Sequence, residues 1–210
     1  MRIINASYKI ETPIDGAEIL KRIEKAGRTC YKSEDRITEE SAKSFVQKLI
    51  ERGHESVLEH ASITVRFICD RGISHEIVRH RIASFSQEST RYCNYSGDKF
   101  GSELTFIKPC FWEEWTLAYK QWSLAVSFAE KEYFALLDCG CTPQEARSVL
   151  PSSIKTEVVM TANLREWRHF LKLRTAKAAH PQMRELTVPL LKELQERIPV
   201  VFDDIKEDNI

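Results

Sequence analysis

Residues 155–174 read KTEVVMTANLREWRHFLKLR, and the periodicity changes within them. KTEVVMTA alternates apolar and polar side chains, which suits a strand with one buried face. From Asn163 the spacing lengthens: Asn163, Trp167, Phe170 and Arg174 fall at i, i+4, i+7 and i+11, one stripe of a helix. Asn163 and Glu166 read as a helix cap and its partner, for a helix running to about Lys177. An arginine therefore ends an otherwise apolar stripe. A guanidinium in that place either snorkels to water or must meet an anion. No acidic residue lies in line with it on this stripe, which leaves a ligand anion or an acid from elsewhere in the fold.

The neighbouring stretches repeat the mixture. GAEILKRIEKAG (16–27) spaces Ile19, Leu20, Ile23 and Ala26 at helical intervals, and TEESAKSFVQKLIERG (38–53) does so with Phe45, Val46, Leu49 and Ile50 before Gly53. ASITVRFICD (61–70) alternates as a second strand. Trp112 to Cys139 reads as one long helix with Trp115, Ala118, Tyr119, Trp122, Val126, Ala129, Tyr133 and Leu136 on its stripe, stopped by Gly140. Thr142-Pro143-Gln144-Glu145 restarts the chain as a capped helix. A final helix over 182–197 carries Leu186, Leu190, Leu191 and Leu194, with Pro189 expected to kink it. Helices dominate and long β-α-β alternation is missing. The expected fold is α+β, a mostly antiparallel sheet flanked by helices, in a single domain over residues 1–210.

Composition narrows the function classes. Lys+Arg and Asp+Glu are equal at 31 each, so no global field draws the chain to nucleic acid or an acidic membrane, and any anion site must be local. The N-terminus lacks the apolar stretch of a signal peptide, and no apolar run approaches the roughly 20 residues of a membrane span. Six cysteines, four scattered and Cys139 and Cys141 flanking one glycine, read as reduced structural thiols in a cytoplasmic protein.

Local chemistry concentrates in RHRIASFSQESTRY (79–92). Arg79, His80 and Arg81 are followed by Ser84, Ser86, Gln87, Ser89 and Thr90, then Arg91 and Tyr92. Paired guanidinium groups suit oxyanions, and hydroxyls with loop N–H groups can complete a phosphate site. A solvated basic loop is the alternative. GHESVLEH (53–60) begins like a zinc protease motif, but position 58 is Leu58 and His60 comes two residues too late, so His54, Ser56 and Glu59 remain as polar groups near a strand start. No metal site is expected. A G-x-S-x-G elbow, a P-loop and a G-x-G-x-x-G fingerprint are all absent. A nucleotide- or RNA-binding module without catalysis stands as the alternative to an enzyme, weakened by the zero net charge.

The spacing Arg79-His80-Arg81, seven residues, then Ser89 resembles the signature of the flavin-dependent thymidylate synthases. GHESVLEH before it, ARSVLP (146–151) after it, and N-x-R…F-L-x-L-R (163–174) followed by His180-Pro181-Gln182 match in the same order. The resemblance implies an enzyme that makes dTMP from dUMP, with 5,10-methylenetetrahydrofolate as carbon donor and NADPH reducing a bound FAD. It also implies a homotetramer with active sites shared between subunits. Carried over residue by residue, FAD would meet His54, Ser56, Glu59, Arg79, His80, Arg81, Gln87, Asn163, Leu164, Arg165, His169 and His180. The nucleotide would meet Glu76, Arg79, Gln87, Glu88, Ser89, Thr90 and Arg91, with Arg147 from another subunit. Arg174 would bind the uracil and favour its ionised form. This chain has Ser86-Gln87 where many members have Asn-Glu, and Glu76 where Gln is frequent. Cys110, after Pro109, resembles the nucleophile of the folate-only synthases, but Phe111 follows it rather than histidine, so a structural thiol is expected.

Overall fold

A computed structural model describes residues 1–97 and 101–206. The remaining seven positions of the expected 1–210 domain lie outside the described residues. In chain order the strands are β1 (Arg2–Ile4), β2 (Ser7–Ile10), β3 (Ser62–Asp70), β4 (Ala83–Gln87), β5 (Thr105–Ile107) and β6 (Lys155–Asn163). The helices are α1 (Gly16–Thr29), α2 (Ser41–Glu51), α3 (Arg71–Ile77), α4 (Leu117–Asp138), α5 (Pro143–Ala146), α6 (Leu164–Arg174) and α7 (Pro181–Arg197). The fold is α+β: a mostly antiparallel four-stranded sheet in the order β2-β3-β6-β4, flanked by helices, and a small parallel pair of β1 with β5.

Packing divides the chain into two units. One comprises residues 1–7, 67–79 and 85–159, the other 8–66, 80–84 and 160–210. In the first, Tyr95, Leu104, Phe106, Val126, Tyr133, Ala146 and Ile154 form a buried cluster, with the Tyr95 and Tyr133 rings edge to face at 6.0 Å. In the second, Ile63 and Val65 of β3 and Ala162 of β6 are buried with Trp167, Phe170 and Leu171 of α6 and with the leucines of α7. The Trp167 indole N–H donates to the Ile63 carbonyl at 3.0 Å, so the largest buried ring of this core keeps its polar atom satisfied.

The alternating stretches form strands because alternation buries every second residue: Ile63, Val65, Phe67 and Cys69 point inward from β3. Three expectations change. The long helix begins at Leu117, capped by the Thr116 hydroxyl, and only Val126 and Tyr133 on its stripe are buried; Trp115 precedes the helix and is 78% exposed. The last helix of the period-change segment ends at Arg174 rather than Lys177, with Thr175 at its C-cap. In the stretch for which a solvated basic loop stood as the alternative, residues 83–87 form the strand β4, whose exposed and half-buried residues alternate. The short strands β1, β2 and β5 carry too few residues for alternation to stand out in the sequence.

Candidate active site

The second unit holds the first cluster. β6 ends and α6 begins at Asn163, whose side chain accepts the Glu166 N–H at 2.9 Å. Glu166 does not return a bond to the cap. Its carboxylate turns inward and accepts from Nδ1 of His80 at 3.1 Å. The other ring nitrogen, Nε2, accepts from Nε of Arg174 at 3.1 Å. A guanidinium only donates, so Nε2 carries the lone pair and the proton sits on Nδ1. His80 is 5% exposed, its ring edge-on to Phe170 at 4.8 Å and tilted against His169 at 5.6 Å. Burial lowers its pKa below the ordinary histidine value. Arg174 and His169 push the same way, while Glu166 opposes them, and the neutral ring results.

The apolar stripe ending in arginine is thereby explained. Glu166 lies eight residues before Arg174, beside the stripe rather than on it, two turns or about 12 Å along the axis and too far for direct pairing. The imidazole spans the gap. Glu166 read as a capping partner because its spacing from Asn163 fits that role equally well; its additional place at i−4 from Phe170 and i−8 from Arg174 was the available signal.

A cleft of about 530 Å³ opens on this face, lined in part by Glu59, Ile82, Asn163, Arg165 and His169. Arg165 is held by Glu59 at 2.7 Å on the exposed rim. Beneath them Arg168, 1% exposed, donates to Glu55 at 2.9 and 3.1 Å, to Asp204 at 2.6 and 2.8 Å and to the Val201 carbonyl. This buried clamp, absent from the expected site, ties the segment after α7 to the turn that begins at Glu55. The cations, the exposed Ile82 and the imidazole of His169 suit a flat ring system bearing phosphates, so the donor set fits a flavin nucleotide. Ligand-type atoms of His80, Glu166 and His169 lie within 4.8 Å of one another. A metal there would have to displace Glu166 or Arg174 from His80 and sit beside a guanidinium.

The first unit holds the second cluster. The Thr90 hydroxyl, on a buried residue, accepts from Arg147 Nη1 at 3.3 Å, and Ser89 Oγ accepts the Arg91 N–H at 3.3 Å. Arg147, which the resemblance assigns to a neighbouring subunit's nucleotide, hydrogen-bonds Thr90 within its own chain and follows α5 at the short turn 147–149. Gln87 donates to Ser74 at 2.9 Å and to Thr156 at 3.3 Å. Glu88 accepts from Tyr95 at 3.1 Å and from Lys155 at 3.0 Å. Those two side chains anchor the loop to β6 and to the core. Lys155, which also bonds Glu157 at 2.6 Å, was not foreseen. Glu76 is half-buried and Arg79 exposed at the end of α3.

Other expected residues lie apart from these contacts. Leu164 is buried in the core and its N–H donates to Ala61 at 2.9 Å. His54 and Ser56 are exposed around the turn 55–60, with His54 lining a separate basic hollow that includes Arg36, Lys48 and Arg52. His180 caps α7, accepting the Gln182 N–H at 3.3 Å. Arg81 is exposed. All six cysteines are free thiols; Cys69 is buried, and Cys30, Cys110 and Cys139 are exposed.

Residues 14–200 match the family described as thymidylate synthase complementing protein. The chain belongs to that family. Its relatives include a flavin-dependent thymidylate synthase of Corynebacterium aurimucosum, 38% identical over 87% of this chain and 78% of the relative. Another, from Pyrococcus furiosus, is 34% identical over 86% and 71%. A crystal structure of the UMP/dUMP methylase PolB from Streptomyces cacaoi, bound with 5-Br dUMP, superposes with a TM-score of 0.77 at 25% identity, covering 97% of this chain and 96% of that one. Membership of the flavin-dependent thymidylate synthases, read from four ordered sequence blocks, is thus borne out.

Proposed function

We propose that the chain is a flavin-dependent thymidylate synthase, converting dUMP to dTMP with 5,10-methylenetetrahydrofolate as carbon donor and NADPH as reductant of FAD. The observation that carries the reading is Arg174: a half-buried guanidinium at the end of α6, its Nε fixed on His80, in a chain of this family. A cation fixed before reaction stabilises negative charge that develops on a pyrimidine without reorganising at the moment of transfer. Ser89, Thr90, Arg91 and Arg147 take the nucleotide phosphate, with Arg79 beside it and Glu76, Gln87 and Glu88 framing the loop. Asn163, Arg165, His169 and Glu59, with Arg79, Arg81, His54, Ser56 and His180, hold FAD. Bound flavin supplies the hydride chemistry; the protein binds, orients and polarises.

The active oligomer is a homotetramer, which an exposed apolar set on and before α4 supports: Trp115, Leu117, Leu124 and Phe128. Among the described residues no helix is long and apolar enough to cross a membrane. The test is direct. Purified protein carries, or takes up on titration, a flavin absorbance spectrum, and Arg174→Ala abolishes dTMP formation while leaving circular dichroism unchanged. Colourless protein that gains no flavin signal, or near-normal turnover in Arg174→Ala, overturns the proposal. The RNA-binding alternative predicts salt-dependent RNA affinity and no flavin.

A further inference from the structure

We infer that Glu166 and His80 are positioning residues for Arg174, the carboxylate acting on the guanidinium through the imidazole. The inference rests on the role proposed for Arg174 and adds what holds it in place. Both ring nitrogens of His80 are engaged inside the chain, Nδ1 by Glu166 and Nε2 by Arg174, each at 3.1 Å. The ring itself is buried and wedged edge-on against Phe170.

The chemistry sets a direction along this chain of bonds. Carboxylate at Nδ1 selects the tautomer that leaves a lone pair on Nε2, and only that lone pair can accept from Arg174. The same carboxylate raises the basicity of Nε2 and so strengthens its hold on the guanidinium. Two alternatives fail at this site. A protonated ring would present N–H to a cation, and the opposite tautomer would turn Nε2–H toward Arg174 and leave Nδ1 as a bare acceptor facing a carboxylate. The groups packed around the ring are Glu166, His169 and Arg174, all from α6, together with Phe170. Because one helix supplies both the carboxylate and the arginine, their separation is fixed by helical rise. His80, from the chain between α3 and β4, is the piece whose seating decides where the guanidinium points.

The experiment uses the flavin-loaded full chain labelled with ¹⁵N-histidine, with His80 assigned from a His80→Gln variant. At neutral pH the His80 resonances should report the neutral Nδ1–H tautomer, and Glu166→Gln should shift the population toward Nε2–H. An imidazolium or a predominant Nε2–H tautomer in the unmodified protein overturns the inference without any variant having to fold. The second arm is calorimetric dUMP affinity in a double-mutant cycle. Glu166→Gln should weaken dUMP about tenfold when Arg174 is present, the worth of one charge-assisted hydrogen bond, and less than about twofold in an Arg174→Ala background. Equal losses in both backgrounds would show that Glu166 acts on its own and would overturn the positioning role. If Arg174→Ala alone leaves dUMP affinity intact, the role proposed for Arg174 fails instead, and the tautomer measurement by itself decides whether Glu166 sets the ring.

Discussion

Arg168→Ala tests whether the floor of the cleft is an electrostatic clamp. The guanidinium is 1% exposed and satisfies Glu55, Asp204 and a backbone carbonyl at once, so truncation leaves a carbonyl acceptor unpaired and two carboxylates with Lys172, at 4.0 and 3.5 Å, as their remaining cation. Breaking a buried pair from one side costs about 3–5 kcal/mol. The side chains of Glu55 and Asp204 are 24% and 46% exposed, so both can recover water, and the low end, about 3 kcal/mol, applies. For a chain of this size that lowers Tm by about 6–12 °C, measured at fixed protein concentration because subunit assembly adds to apparent stability. Arg168→Met, which keeps the stem's volume, should recover less than half of the loss. The pH dependence follows from Asp204. Its burial favours the neutral acid, but the hydrogen bonds and charge of Arg168, with Lys172 assisting, outweigh this and hold its pKa below the ordinary carboxylate value. A lowered folded pKa contributes stability above the unfolded value of ~3.9 and loses it as pH falls through the folded value. The gap between the native protein and Arg168→Ala should therefore narrow in acid. A Tm drop under about 2 °C, or a gap as wide at pH 3 as at pH 7, would refute the clamp.

Arg147→Ala should raise KM for dUMP about tenfold with flavin content unchanged, since one charge-assisted phosphate contact is removed; unchanged KM would take Arg147 out of the phosphate site. A Cβ on Gly16 would overlap the Arg197 carbonyl oxygen, whereas one on Gly27 would meet side chains alone, the Phe45 ring edge at 2.8 Å and Leu49 Cδ1 at 3.3 Å. Gly16→Ala should cost about 2 kcal/mol, because backbone cannot step aside, and Gly27→Ala should be near neutral, the ring's displacement offset by about 1 kcal/mol of helix propensity; equal thermal shifts would contradict this. Burial, with Asp70 adding to it, pushes the Cys69 thiol well above its ordinary pKa, so it should resist Ellman's reagent in the folded protein and react only in denaturant.

Periodicity and punctuation were legible where they act over many residues. β3, β6, α1, α2 and the α6 cap follow from alternation, helical stripes and local hydrogen bonding, and the Thr142–Glu145 capping box forms as its spacing dictates. Strands of three to five residues were not, β4 least of all, because its charged and hydroxylated neighbours outweighed a short alternation. At the site, ordered blocks of residues were enough to place the chain among flavin-dependent thymidylate synthases. They could not distinguish a side chain that faces a ligand from one that supports it. Gln87 donates to Ser74 and Thr156, Glu88 accepts from Tyr95 and Lys155, and Leu164 lies buried in the core.

By itself, then, the sequence determined the α+β class, the family and the arginine that ends the α6 stripe, all properties of spacing along one chain. Which group meets that arginine was a matter of tertiary structure alone. Glu166 and Arg174 are fixed two helical turns apart, beyond the reach of a direct bond, and only the folding of His80 between them, from a segment 94 positions away from Arg174, joins the two.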